Sequence, residues 1–179
     1  MTKDKALILS LTIAAGAAYI LLRKFKDEAP DSDEQQGGTT MEQQPGYSNA
    51  RGYRNNNPLN IRYNANNAWR GKVTPNTDGA FEQFVSMPYG FRAALYLFRK
   101  YIRQGYNTVE KIVGKWAPPS ENHTGKYIQF VCGKTQMAPD TVLRTFDEQD
   151  LKTLAHAMAW YENGSAPHYA DINEGWELL

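Results

Sequence analysis

The sequence predicts an α+β, mostly helical soluble domain behind a single N-terminal transmembrane helix. Three features lead to this prediction: an uncharged apolar run near the N-terminus, an acidic stretch after it, and apolar residues at helical spacing in the remainder. A chain of 179 residues allows one domain and an appendage. We therefore expect a membrane anchor with basic flanks over 1–26, a flexible linker over 27–50 and one folded domain over 51–179.

The apolar run from Ala6 to Leu22 is seventeen residues long, which is the lower limit for crossing a hydrocarbon core about 30 Å thick. A secretory signal peptide is the alternative. However, the small residues at 14–18 are followed by Tyr-Ile-Leu-Leu, which makes a poor cleavage site. We expect a single-pass membrane protein that contacts the lipid bilayer through residues 6–22. The flanking basic residues lean only weakly toward a cytoplasmic C-terminal domain.

The segment 27–50 differs in composition from both of its neighbours. It contains six acidic residues, no Lys or Arg, and several Gln, Gly and Pro residues. Such a stretch cannot bury enough apolar surface to order itself. We therefore interpret it as a flexible tether.

The first half of the folded domain combines a short strand with two helices. The alternation over 80–86 favours a short strand, and Pro88 stands where a helix can begin. Apolar residues then follow one helical face and stop before Gly105. Asn107 is a candidate N-cap for the next helix, and Glu110 fits its first turn as a capping acid.

The second half is predicted to be helical after the break at 118–119. One helix passes through 127–132, and a short one follows Pro139 and Asp140. Asp147 is a candidate cap for the last long helix, whose apolar stripe ends at Asn163-Gly164, a frequent helix C-terminal signal. Together these elements give the α+β, mostly helical reading, without an internal repeat.

Charge and composition limit the classes of function. Residues 51–179 contain fifteen Lys and Arg and twelve Asp and Glu, so the net charge is +3. This is far below the charge of a typical nucleic-acid-binding domain, and we expect no specific nucleic acid partner. The single cysteine, Cys132, is expected to pack as a small apolar residue. The three histidines show no metal-ligand spacing, so we predict no metal and no cofactor.

The most specific stretch is 54–62, Arg-Asn-Asn-Asn-Pro-Leu-Asn-Ile-Arg, which we call the Asn segment. Amides and guanidiniums, with Tyr63 and Trp69 close behind, offer the bidentate hydrogen bonds and flat faces that a saccharide polymer requires. The alternative is a turn in which the Asn side chains only satisfy the local backbone. The spacing alone leaves both open.

Glu162 is the strongest candidate for acid chemistry. It lies in the last turn of the final long helix, where the backbone carbonyls disfavour a carboxylate. Partial burial beside Trp160 or Tyr161 would raise its pKa further and make a general acid for a glycosidic oxygen. The alternative is a solvated Glu beside a helix cap.

A second acid is less well defined. Glu121 lies in a Pro-rigidified loop and can line a cleft, or it can cap the following helix. Glu82 and Asp78 are further candidates, because a two-carboxylate glycosidase needs about 5–10 Å between its acids. Sequence does not give that distance.

Two sets of motifs resemble the lysozyme superfamily. The stretch 154–164 resembles the catalytic helix of lytic transglycosylases and flagellar-type N-acetylglucosaminidases, in which an Ala-rich helix ends in the proton-donating Glu. The motifs at 56–62, 69–71 and 81–86 resemble the segment that follows this helix in the glucosaminidases, and 116–131 is similar to a late transglycosylase segment. The order of the motifs is circularly permuted, and Leu59-Asn60 stands where the glucosaminidases have Phe-Gly.

The resemblance implies a lysozyme-like domain that acts on peptidoglycan, as a glycosidase or lytic transglycosylase, with Glu162 as proton donor. Glu121, or Glu82, would position water, unless the substrate's own N-acetyl group or 6-hydroxyl does so. The implied saccharide contacts are Asn56, Asn57, Asn60, Arg62, Trp69 and Tyr127.

The whole arrangement also resembles small virion structural proteins of tailless, membrane-containing bacteriophages. These join a membrane segment to a domain with Asn-Asn-Asn-Pro-x-Asn-Ile-Arg and Trp-Ala-Pro-Pro-x-Glu-Asn motifs. This resemblance implies an internal virion membrane or host cell membrane location, with capsid or other virion membrane proteins as partners. The rival to an enzyme is therefore a non-catalytic structural virion protein with a degenerate lysozyme-like binding domain.

Overall fold

A computed structural model describes residues 46–120 and 123–179, which form one compact unit. Its helices are α1 (Arg51–Arg54), α2 (Met87–Arg103), α3 (Val109–Trp116), α4 (Thr124–Thr135), α5 (Glu148–Asn163) and α6 (Tyr169–Glu177). The long helices α2 and α5 contribute about half of the buried apolar core, and the irregular region 55–86 packs across them.

Helix α2 forms where the apolar periodicity predicted it. Pro88 lies in its first turn, where a missing N–H costs nothing. Four residues of the predicted stripe, Phe91, Ala94, Leu95 and Phe98, are fully buried, and the last two, Tyr101 and Ile102, are partly buried. The helix ends at Arg103, and Gly105 follows with a φ of +89°. The predicted helix is confirmed.

Helix α5 is also confirmed, and its end positions the candidate site. Every residue of the predicted stripe is buried: Leu151, Leu154, Ala155, Met158 and Ala159. Gly164 adopts a left-handed φ of +72°, and its N–H donates to the carbonyl of Trp160 over 2.9 Å. This is the C-terminal stop that Asn163-Gly164 predicted.

The remaining helices differ in detail from the prediction. The N-cap of α3 is Thr108 rather than Asn107, and its hydroxyl accepts from the N–H of Lys111, while Glu110 occupies the first turn as expected. The short helix predicted after Asp140 is not formed, because this stretch pairs with the chain before α3 through the bridge between Thr108 and Val142. Helix α6, which packs along α2, was not predicted.

The predicted strand at 80–86 is extended but does not become a regular strand. On one side, the N–H of Glu82 donates to Ile61 over 2.8 Å; on the other, the N–H of Val85 donates to Gly71 over 2.9 Å. Its hydrogen bonds thus alternate between two loops, and only isolated bridges result at Phe81 and Phe84.

The predicted fold class, α+β with a lysozyme-like domain behind a transmembrane helix, is therefore wrong. The described residues are helical, with isolated bridges in place of strands. None of the helices within 46–120 and 123–179 is long and apolar enough to cross a bilayer. The predicted single-pass membrane localisation is corrected on the same finding. The run at 6–22 on which it rested, and the linker up to residue 45, lie outside the described residues.

Candidate functional site

The Asn segment reverses direction twice before it reaches the site. Asn56 and Asn60 adopt left-handed φ values of +49° and +52°. Asn tolerates this conformation better than most residues, because its short polar side chain can hydrogen-bond locally. The two reversals carry the chain from α1 to the extended stretch at 61–63.

The first three Asn side chains fasten this loop to the rest of the domain. Asn57 is fully buried; its amide donates to the carbonyls of Ile61 and Glu82, both over 2.9 Å, and its oxygen accepts from the N–H of Ile61. Asn56 donates to the carbonyl of Phe84 over 3.1 Å, and Asn55 donates to Asp78 over 2.8 Å. These three amides satisfy buried backbone and side-chain groups. Only the bonds between Asn57 and Ile61 are the local ones of the turn interpretation, and the others reach distant residues.

The later part of the Asn segment lines a cleft of about 380 Å³, which we call the Glu162 cleft. The cleft lies between this segment, α2, α3 and the end of α5. Its lining residues are Leu59, Asn60, Ile61, Arg62, Phe81, Leu97, Tyr101, Trp116, Ala117 and Glu162. Apolar and aromatic walls thus surround a polar group made by Asn60, Arg62 and Glu162.

The last turn of α5 is fixed to the Asn segment by two neighbouring residues. Glu162 accepts a hydrogen bond from the amide of Asn60 over 3.0 Å, and Asn163 donates to the carbonyl of Pro58 over 2.7 Å. The indole N–H of Trp116 fixes the same loop from α3, donating to the carbonyl of Leu59 over 3.2 Å. The Asn segment is therefore held in place at the cleft from both α3 and the end of α5.

Tyr127 of α4 holds the other oxygen of Glu162. Its buried hydroxyl donates to Glu162 Oε1 over 2.9 Å, and its ring stacks on Tyr161 with centroids 3.9 Å apart. Burial raises the pKa of the Tyr127 hydroxyl well above its usual range, with the Glu162 charge as the next cause. Tyr127 thus acts as a neutral donor to Glu162.

The pKa of Glu162 is raised, and burial is the cause. The hydrogen bonds from Asn60 and Tyr127 favour the charged form and oppose this shift, but the desolvation of the carboxylate outweighs them. Both donors are neutral, so they stabilise the charge less than a cation would. The carboxyl therefore retains a proton to a higher pH than an exposed Glu, which is the property of a general acid.

The predicted saccharide contacts separate into two groups. Asn60 and Arg62 line the Glu162 cleft, and Tyr127 donates a hydrogen bond to Glu162 but does not itself line the cleft. Asn56 and Asn57 are buried and bonded to backbone carbonyls, and they do not line the cleft. The remaining prediction, Trp69, packs against the core with its ring edge-on to Tyr96 at 5.9 Å, and it also lies outside the lining.

The other candidate acids have structural partners or cannot be placed. Glu82 is fully buried and pairs with the ammonium of Lys72 over 3.1 Å. Asp78 pairs with Arg51 and accepts the N–H of Phe81, and these contacts, led by Arg51, lower its pKa. Glu121 lies outside the described residues.

Sequence reasoning missed the walls of the cleft. Tyr101 and Trp116 lie on the apolar stripes of α2 and α3, where helical spacing is equally typical of core residues. The sequence predicts Asn163 only as part of a helix C-terminal signal, although its side chain fixes the Asn segment to α5. The resemblance is the one sequence signal for this contact, because it makes the helix that ends at Glu162 and the Asn segment parts of one site.

Comparison with known proteins shows similarity to a phage protein. Protein P5 of Pseudoalteromonas phage PM2 is 37% identical to the chain over 132 residues, which cover 72% of this chain and 81% of that protein. No protein-family model matches the sequence. Identity at this level over most of both chains indicates common ancestry.

Proposed function

The chain belongs to the family of Protein P5 of Pseudoalteromonas phage PM2, and from this premise we propose that it is a structural component of a phage particle that binds glycan strands in the Glu162 cleft. The family relation supports the phage particle. The glycan is supported by one observation in particular: the cleft places an amide, a guanidinium and a carboxyl between aromatic walls.

The walls of the cleft suit the apolar faces of sugar rings. Phe81, Tyr101 and Trp116 contribute aromatic surface, and Leu97 adds aliphatic surface. Pockets that bind small polar ligands combine such surface with a few convergent polar groups. A hexose presents both kinds of surface, because its C–H groups form a face and its hydroxyls project from the edge.

The polar group of the cleft suits an N-acetylated, partly anionic sugar. Asn60 offers an amide, which pairs with amides and hydroxyls, and Arg62 offers a guanidinium, which is suited to carboxylates. The net charge of +3 over 51–179 favours an anionic polymer without reaching the field of a DNA-binding domain. Peptidoglycan glycan, which carries N-acetyl groups and carboxylates, meets these requirements.

Cleavage of the bound glycan is a second candidate function, and the environment of Glu162 favours it. A carboxyl with a raised pKa, held by two neutral donors at the cleft, is placed to protonate a bridging oxygen. The bond between that oxygen and the anomeric carbon would break, and its electron pair would leave with the oxygen. The attacking oxygen would come from water or from the substrate's own N-acetyl or 6-hydroxyl group, and its proton, where it has one, would return to the Glu162 carboxylate.

Two of the predicted second acids, Glu82 and Asp78, are not available for such a reaction, because each is held in an ion pair. Glu82 is paired with Lys72, and Asp78 is paired with Arg51. For this reason the structural role with glycan binding is the main proposal, and cleavage is the second.

Co-sedimentation with purified peptidoglycan sacculi tests the main proposal. The full chain should sediment with sacculi, and Arg62→Ala should weaken binding about tenfold, because it removes the guanidinium at the cleft. Arg54→Ala is the matched control, since Arg54 is an exposed arginine of the same segment outside the cleft lining. Absence of wild-type binding, or equal weakening by both variants, would overturn glycan binding in this cleft.

The same samples test the second candidate. Wild-type protein should release soluble muropeptides, and Glu162→Gln should abolish release while it still sediments with the sacculi. Binding without any release by the wild type would exclude cleavage and leave the structural role.

A further inference from the structure

A glycine in the short helix α1 lies against both the Asn segment and the end of α5. Gly52 is buried, and its φ is not positive, so other residues could adopt its backbone conformation. A Cβ at this position would lie 2.4 Å from Oδ1 of Asn163, 2.9 Å from Oδ1 of Asn60 and 3.0 Å from the carbonyl oxygen of Asn57. Glycine is therefore required here by the lack of space and not by the backbone conformation.

The two amide oxygens face Gly52 because the amide nitrogens are bonded elsewhere. Nδ2 of Asn60 donates to Oε2 of Glu162 over 3.0 Å, and Nδ2 of Asn163 donates to the carbonyl of Pro58 over 2.7 Å. The oxygen and nitrogen of an amide stand at a fixed angle on one carbon. A side chain that directs its nitrogen at one group therefore directs its oxygen at another.

Neither of these oxygens is held by a hydrogen bond. Oδ1 of Asn60 and Oδ1 of Asn163 are buried and accept no hydrogen bond from the residues that the structure describes. A buried acceptor without a donor is unfavourable, so the oxygen adds nothing that would hold the amide in place. The orientation of the Asn60 amide depends on its nitrogen, which bonds Glu162, and on the space beside Gly52.

Few other described groups act on the Glu162 carboxyl. Tyr127 donates to its other oxygen, and the remaining titratable or charged side chains in the cleft lining are Arg62 and Tyr101. None of these three is among the nearest contacts of a Cβ at residue 52. A change at Gly52 would therefore reach the carboxyl through Asn60.

We propose that Gly52 is a positioning residue for Glu162: the missing side chain lets the Asn60 oxygen lie against α1, which directs the Asn60 nitrogen at the carboxylate. This deepens the proposed function and rests on it, because it concerns the acid of the same cleft. An Ala side chain would force the Asn60 amide to turn, since a bond of 3.0 Å leaves little room for the nitrogen to approach Glu162.

The 13C chemical shift of the Glu162 carboxyl, followed against pH in the full chain, tests this role without a ligand. Gly52→Ala should raise the pKa of Glu162 above its wild-type value, because the turned amide no longer favours the ionised form. Gly175→Ala is the matched control. A Cβ there would come within 2.8 Å of two atoms of α2, but Gly175 lies outside the cleft lining, so this variant should lose stability and leave the pKa unchanged.

A double variant shows whether Gly52 acts through Asn60. Asn60→Ala alone should raise the pKa of Glu162, because it removes the donor. Gly52→Ala should raise it no further in that background, since two changes that act through one hydrogen bond do not add. A full additional rise in the double variant, an unchanged pKa in Gly52→Ala, or an equal rise in Gly175→Ala would overturn the positioning role.

If Gly52→Ala does not fold, Asn163→Ala is added to it, because this removes the nearest oxygen. The pKa of Glu162 in that pair should exceed its value in Asn163→Ala alone, and equal values would overturn the positioning role.

Sedimentation with sacculi separates this role from the proposed function. A wild-type chain that does not bind sacculi, although the variants show the predicted pKa changes, removes the glycan and keeps Gly52 as a positioning residue for Glu162. Binding to sacculi with the same pKa in Gly52→Ala and the wild type keeps the glycan and overturns the role of Gly52.

Discussion

Two buried carboxylates show how differently this domain uses the same side chain. Glu82 is fully buried and lies against the ammonium of Lys72 at 3.1 Å, with the N–H of Asn64 on its other oxygen at the same distance. Glu162 is partly buried at a cleft, and the two groups that bond it, Asn60 and Tyr127, are neutral. Glu82 therefore has a cationic partner and does not line the cleft, whereas Glu162 lines the cleft and has neutral hydrogen-bond donors.

The two environments separate a region that stabilises the fold from a region that is available for chemistry. A buried charge with an ion-pair partner is costly to separate from that partner, as for Glu82 and Lys72. Burial raises the pKa of the Glu162 carboxyl, because its two neutral donors only partly offset the loss of solvation. The region around Glu82 is therefore structural, and the region around Glu162 is the candidate site.

Glu82→Gln should have the largest effect on stability. It leaves the Lys72 ammonium, which is 11% exposed, without its charge partner, and breaking a buried pair costs about 3 kcal/mol. Urea denaturation of the variant measures the loss. Glu110→Gln, an exposed acid in the first turn of α3, is the control and should cost only a few tenths of a kcal/mol. Equal effects in the two variants would remove the contrast between the two carboxylates.

Gly90→Ala should have the next largest effect on stability. It tests the part of the Asn segment around Asn56, which packs closely against α2. A Cβ at this position of α2 would come within 2.0 Å of the carbonyl oxygen of Asn56, so the loop must move. We expect a loss of about 2 kcal/mol in the free energy of unfolding. Gly114→Ala in α3 meets nothing within 4 Å and should instead stabilise by about 0.5–1 kcal/mol. A stable Gly90→Ala variant would contradict the fixed position of this loop.

Tyr127→Phe should cost about 1 kcal/mol and raise the pKa of Glu162 further. The change removes the hydroxyl that donates to the Glu162 carboxylate, and hydrogen bonds of this kind favour the charged form. The loss should be greatest at a pH where Glu162 is ionised in the wild type. Tyr161→Phe, on the exposed ring that stacks on Tyr127, is the control and should change neither stability nor the pKa. Thermal unfolding across a pH series distinguishes the two variants.

Glu162→Gln should have the smallest effect on stability and the opposite sign. Because the folded pKa of Glu162 is raised, the contribution of its protonated form is fully present below the unfolded value of 4.5 and is lost as the pH rises through the folded pKa. The neutral amide avoids this loss, so the variant should be more stable than the wild type at neutral pH by up to about 1 kcal/mol. Below the unfolded pKa the advantage should vanish. A variant less stable than the wild type at pH 7 would contradict this assignment.

Much of the helical part of the fold could be predicted from periodicity. The stripes of α2 and α5 have spacings that a strand cannot use, and Gly164 ends α5 where it was expected. The strand at 80–86 failed because alternation predicts an extended chain but not which neighbours supply its hydrogen bonds. The apolar run at 6–22 led to a membrane location that the described helices do not support.

The candidate site was only partly predictable. The sequence could identify Glu162 as an acid at the wrong end of a helix, and the structure places it 3.0 Å from Asn60. It could not separate Asn57 from Asn60, three residues apart, because only the tertiary packing decides which amide faces the backbone and which faces Glu162. Their roles in binding remain predictions.

The pKa of Glu162, followed by the 13C chemical shift of its carboxyl group, tests the central claim most directly. The resonance is assigned by its loss in Glu162→Gln, and the titration is repeated with an N-acetylglucosamine hexamer present. We predict a pKa above the ordinary Glu value of 4.5 and a further change of that pKa when the glycan binds. A carboxyl that titrates at the ordinary value and does not respond to the glycan would contradict both the buried acid and the glycan site.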